Sequence, residues 1–124
     1  MSKIISYKDS EDLKLEVTLL NDTIWLSLNQ ISNLFDRAKS VISRHLRDIF
    51  KTEELLENSV VAKFATTALD GKTYQTEHYN LDAILSLGYR VNSKRGTKFR
   101  IWATSILKDF LNQGDIALNF SLIL

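Results

Sequence analysis

Apolar and polar residues alternate from Leu13 onward: Leu13, Leu15, Val17 and Leu19 are separated by Lys14, Glu16 and Thr18. A period of two is the signature of a half-buried strand. Asn21 and Asp22 supply a turn and "TIWLSL" a second strand, so the chain is predicted to open with a hairpin. The period then changes. Leu28, Ile31, Leu34 and Phe35 fall on one face of a helix, and Ser27 followed by Gln30 forms a capping box that starts it at Leu28. Asp36, Arg37 and Ala38 break the pattern, after which Val41, Ile42, Leu46, Ile49 and Phe50 define a second amphipathic helix of about three turns.

"EELLENSV" reads as a turn or short helix. Residues 60–79 read as a second hairpin, because Asp70-Gly71 stands between "VVAKFATTA" and "TYQTEHY". Asn80 can cap a short helix, "LDAILSL", which Gly88 is expected to end in the left-handed conformation. A last helix spans about Lys94 to Asn112, with Phe99, Trp102, Ala103, Ile106 and Phe110, beside Leu107 and Leu111, as its packing face. Beyond it Ile116, Leu118, Phe120, Leu122 and Leu124 occupy alternate positions, an apolar strand face expected to pair with the first hairpin or with a second subunit as a homodimer. The predicted architecture is one α+β domain over residues 1–124, winged-helix-like. It holds a helix-turn-helix at 27–51, a hairpin at 60–79 as wing, a basic turn and helix at 90–112 and the apolar tail at 115–124.

Composition narrows the function classes. The 124 residues suit one domain and contain no cysteine, which removes disulfide frameworks and thiolate metal sites. "MSKIISYKDSEDLKL" lacks the apolar core of a signal peptide and no apolar run approaches bilayer length, so a cytoplasmic protein without a membrane partner is expected. The net charge of +1 hides a segregation: residues 25–52 carry five Lys or Arg against two acids and residues 83–110 carry six against one, whereas 53–82 carry two against six. Basic patches on an otherwise acidic molecule follow.

On the second helix of the helix-turn-helix, Ser40, Ser43, Arg44, Arg47 and Lys51 are left over by the core and share one stripe, with Lys39 at its N-terminus. Arginine can bond the guanine edge with two donors, and hydroxyls or lysine can hold bases or phosphates. A solvated basic face has the same spacing. In the second block Arg90, Lys94, Arg95, Lys98 and Arg100 surround Asn92, Ser93 and Gly96 at the head of a helix, a set suited to a phosphate backbone, with Lys72 in the hairpin as a further cation. A charged structural turn is the alternative. The glycine spacing is not that of a nucleotide-binding loop. His45 falls on the core side of its helix, packed there or reaching a phosphate, while His78 near Glu77 and Asp82 lacks the companions an acid/base site needs. Trp25 and Trp102 fit apolar faces rather than base-stacking platforms. No catalytic residue, metal ligand or cofactor site is expected.

The stretches "SVISRHLRDIF", "DGKTYQTEHYNLDAI" and "GYRVNSKRGTKFRIWA" together resemble the RhuM family of virulence-island and mobile-element proteins, over roughly residues 20 to 112. The last of them is similar, more weakly, to the Bro-N type domains of phage and viral regulators. The resemblance implies DNA-binding proteins encoded beside restriction systems or on prophage-like islands. Ala38 departs from the capping Asp or Ser usual in the family, and family members continue past the position of Asn112, so a truncated product or excised domain is expected. The reading is a non-catalytic double-stranded DNA binder, a transcriptional or mobile-element regulator with residues 39–51 in the major groove. The rival is a protein-interaction or toxin-like module whose basic stripe faces an acidic protein partner, and an enzyme is the weakest reading.

Overall fold

The structure, a computed structural model, describes residues 3–9, 13–67 and 69–112. Its elements run β1 (Lys3–Lys8), β2 (Lys14–Leu20), β3 (Thr23–Ser27), α1 (Leu28–Phe35), α2 (Lys39–Lys51), α3 (Glu57–Val60), β4 (Val61–Thr67), β5 (Thr73–Asn80), α4 (Leu81–Arg90) and α5 (Lys94–Asn112). Among the described residues the strands form one five-stranded antiparallel sheet in the order β1-β2-β3-β5-β4. The class is α+β, as the patterning predicts, but the two hairpins are not separate: β5 returns to pair with β3, Leu26 opposite Tyr79 and Ser27 opposite His78.

Local chemistry explains the connections. Leu20 pairs with Thr23 across a two-residue loop in which Asn21 and Asp22 have φ of 54° and 64°, the left-handed pair a type I′ hairpin requires and which Asn and Asp accept more readily than most residues. Ser27 and Gln30 form the predicted capping box, with Oγ of Ser27 accepting from the Gln30 amide at 3.2 Å. Gln30 also donates from Nε2 to the Glu16 carbonyl, tying the start of α1 to the part of β2 that β3 leaves uncovered. Thr67 pairs with Thr73, so Asp70 and Gly71 lie in a five-residue loop, where Gly71 takes φ 83° and the Asp70 carboxylate accepts from the Lys72 amide and the Tyr74 hydroxyl.

One face of the sheet carries Tyr7, Leu15, Val17, Leu19, Ile24, Leu26 and Tyr79 against the helices. To the same core α1 contributes Ile31, Leu34 and Phe35, α4 Leu81, Ala83, Ile84 and Leu87, and α5 Phe99, Ala103 and Leu107, while α2, packed against α1 and α4, adds Ile42, Leu46 and Ile49. On the other face Phe64 stacks edge-on to Trp25 at 5.5 Å and against His78 at 4.7 Å. Trp25 is buried with its indole N–H on the Leu20 carbonyl, and Trp102 leans on Tyr7 and Phe99, so both are packing residues.

Three expectations change. The strand β1 adds an edge to the predicted first hairpin. Gly88 does not end its helix: α4 continues to Arg90, and Gly88 lies against the Phe35 ring and Gly96. The left-handed residue after α4 is instead Asn92, with φ 50°. Arg90 therefore belongs to the last turn of α4 and not to the turn heading α5. The apolar tail at 115–124, and with it the homodimer expected through it, lies outside the described residues, as does the side chain of Leu111.

Candidate nucleic-acid interface

Helix α2 is held from behind. Ile42, Leu46 and Ile49 are almost wholly excluded from solvent, and burial of each contributes about 1.5–3 kcal/mol. That outweighs the missing cap: Ala38 precedes the helix without a side-chain bond, a deficit of about 1 kcal/mol, and Asp36 does not substitute because it closes α1 in the left-handed conformation. Lys39, Ser40, Arg44, Arg47 and Lys51 are exposed on the opposite side, and Ser43 is partly exposed. None of the four cations forms an ion pair among the described residues. Asp48 is exposed on the same helix. His45 is partly buried, and its Nδ1 is enclosed without a hydrogen-bond partner among the described residues.

The second basic block divides in two. Arg90 is held by the Glu54 carboxylate at 3.1 Å, and Ser86 also donates to Glu54; that hydroxyl, ahead of the guanidinium, holds the Glu54 carboxyl below its ordinary range. Arg95 lies 3.9 Å from the Asp9 carboxylate and donates to the Asn33 carbonyl at 3.4 Å. These two arginines act inside the fold. Lys94, Lys98 and Arg100 are exposed without an ion pair among the described residues, as is Lys72 in the β4–β5 loop. Arg37, which the charge count places in the first block, is also committed: it donates to the carbonyls of Phe35, Asp36 and Val91. Arg37 and Arg95 thus draw the α1–α2 turn and the head of α5 together, around a hollow bordered by Asn33, Asp36 and Ala38.

A groove runs between α1 and the β4–β5 hairpin, bordered by Asn29, Asn33, Lys39, Thr66, Gln75 and Glu77. Asn29 and Asn33 share the outward face of α1, a pair four residues apart that appears once the non-core face of α1 is read as that of α2 was. His78 lies at the groove's inner edge, buried, with Nδ1 2.9 Å from the Thr76 carbonyl. Burial pushes the Asp82 carboxyl up from its ordinary value. Among the described residues no cluster of His, Cys, Asp or Glu is placed to hold a metal ion, and no helix is long and apolar enough to cross a membrane.

Residues 59–119 match the model of the virulence protein RhuM family. The chain belongs to the RhuM family. No curated protein and no solved structure matches it. The RhuM match takes in β4, β5, α4, α5 and the whole second basic block, while α1 and α2 precede it.

Proposed function

We propose that this RhuM-family chain binds double-stranded DNA without acting on it chemically, as a cytoplasmic regulator carried by a mobile element, with α2 entering the major groove. The observation that carries the reading is the stripe on α2. Two arginines, two lysines and two serines stand on the solvent side of a helix whose other side is locked into the core, and the cations form no ion pair among the described residues. A B-form major groove admits one α-helix, and Arg44 and Arg47 sit mid-helix, where a guanidinium can reach a guanine edge. The order β3, α1, α2, β4, β5, with β5 paired back onto β3, suits a winged helix-turn-helix in which the β4–β5 loop presents Lys72 to the phosphate backbone. Lys94 and Lys98 are the matching phosphate contacts from α5.

Selection of bound sequences from a random duplex pool, followed by titration of the selected site at several salt concentrations, tests the proposal. An enriched motif and an affinity that falls with salt are expected. Binding that is absent, or indifferent to both sequence and salt, removes it.

A further inference from the structure

Tyr89 is 86% exposed on α4, and Ile101 is 60% exposed on α5. A groove lies between the two helices, with Ile84, Leu85 and Tyr89 on one side, Thr97 and Arg100 on the other, and the α4–α5 turn closing one end. The helices approach closely because Gly88 and Gly96 face each other: a Cβ on Gly96 would stand 3.5 Å from the Gly88 Cα. Backbone therefore forms part of the floor, and Asn92, Ser93 and Thr97 add polar lining beside Ile84 and Leu85. Arg100 also borders the next hollow along α5, with Ile101, Lys108 and Asp109, so apolar and charged groups, two cations against one acid, continue beyond the groove.

The charge of this half is net positive. Residues 81–112 hold six Lys or Arg against two acids, and among the described residues no acid lines the groove; Glu54 borders the adjoining hollow beside Leu85 and Tyr89 but is taken by Arg90 and Ser86. Arg90 is taken by Glu54 and Arg95 lies against Asp9, whereas Arg100 and Lys108 form no ion pair among the described residues. A ligand that complements this surface needs two things at once: a bulky apolar group for Leu85 and the face of Tyr89, and an anion for Arg100. Duplex DNA supplies only the second, because its outer surface is sugar and phosphate. An acidic peptide supplies both, with a carboxylate matched to the planar guanidinium. The groove also lies wholly inside the stretch that matches the RhuM family, apart from the α2 stripe.

We propose that the α4–α5 groove docks a short acidic segment of a partner protein, its aromatic or aliphatic side chain against Leu85 and Tyr89 and its carboxylate on Arg100. Tyrosine and arginine are the residue types that most often dominate such contacts.

Panning the full chain against a random-peptide display library should enrich peptides that combine Asp or Glu with a large apolar residue. For a peptide synthesised from the enriched set, Tyr89→Ala and Arg100→Glu should each weaken binding by about tenfold or more, and Arg44→Ala should leave it unchanged. Both altered residues are exposed, so unchanged thermal melting is expected and is checked alongside. The proposal falls if nothing is enriched, if the enriched peptides lack acids, or if both groove variants bind the peptide as well as the original chain. It also falls if Tyr89→Ala and Arg100→Glu weaken a selected duplex as much as the peptide, since the groove then belongs to the nucleic-acid face.

Discussion

Arg37 donates from Nη2 to the carbonyl of Val91 at 3.2 Å, joining the turn between α1 and α2 to the turn between α4 and α5. Its Nη1 donates to the carbonyls of Phe35 and Asp36, so one guanidinium fixes the exit of α1 and holds it to the other half of the helical layer. Replacing Arg37 by Ala is expected to lower stability in urea by about 1–2 kcal/mol, the lower range for bonds from a charged donor because the side chain is partly in water. Arg37→Lys should recover only part, since an ammonium cannot span three carbonyls as the planar fork does. Unchanged midpoints for both would mean that solvent holds the arginine.

Ala38 offers a gain that is coupled to binding. It precedes α2 with φ −59° and ψ 146°, an extended backbone that a capping residue adopts, and lacks only the oxygen. Ala38→Ser should therefore stabilise the chain by about 1 kcal/mol. Ala38→Asp should stabilise it comparably but weaken duplex binding, because a carboxylate at the helix N-terminus competes with a phosphate for the same amide donors. Parallel thermal melts and duplex titrations of the two variants check this. Equal duplex affinity for both would place the phosphates away from the start of α2.

The two glycines between α4 and α5 should respond differently to alanine. A Cβ on Gly88 meets the Phe35 ring at 3.4 Å, close to an ordinary contact, whereas one on Gly96 meets it at 3.1 Å. Alanine in place of a helical glycine gains about 1 kcal/mol. Gly88→Ala should keep most of that gain. In Gly96→Ala the fully buried Phe35 has little room to yield, so the gain should be cancelled or reversed. Denaturant titration of Gly96→Ala alone and with Phe35→Leu measures the coupling, which should favour the pair if the ring is the obstacle.

What could be read from the sequence was local. The capping box at Ser27 and Gln30, the Asn80 cap of α4, the turn at Asn21-Asp22 and the bounds of α5 each depend on residues within a few positions. β1 was hidden because Ile4 and Ile5 are adjacent, so the alternation that turns Tyr7 inward and Ile4 outward is blurred. Gly88 fits a sound local rule for a helix end, yet α4 continues past it to Arg90. The charge blocks were visible, but the commitments within them were not: Arg37, Arg90 and Arg95 reach Val91, Glu54 and Asn33, which lie 54, 36 and 62 residues away. Counting charge locates a basic surface, and only the fold separates cations that bind inward from those that face out.

Tyr79 should govern stability at alkaline pH. Burial first, then the neighbouring Glu77, pushes its hydroxyl up to about 12. The folded state therefore prefers the neutral phenol more strongly than the unfolded chain does. The resulting stability is complete below the unfolded value near 10 and is lost as pH rises toward about 12. Tyr79→Phe should flatten this alkaline decline, at the cost of the bond to Glu77. Thermal melts at intervals across that range check it, and parallel curves for both proteins would transfer the effect to another group.

Arg44 and the α5 lysines should separate base reading from phosphate grip. Arg44 is exposed at mid-helix on α2, so Arg44→Ala should weaken a selected site by ~1–3 kcal/mol and relax sequence preference while affecting a scrambled duplex less. Lys94→Ala and Lys98→Ala should weaken both duplexes alike, each flattening the dependence of log K on log salt by about one unit. Arg90→Ala provides the contrast, because its guanidinium is held by Glu54. It should lower stability and leave the salt slope unchanged, as a charge already paired inside the fold releases few counterions on binding. If Arg44→Ala leaves both affinities and the slope untouched, α2 is a basic helix of the core and not the reading helix. If Arg90→Ala flattens the slope as Lys94→Ala does, the ion pair opens on DNA and the inward assignment of that arginine is wrong.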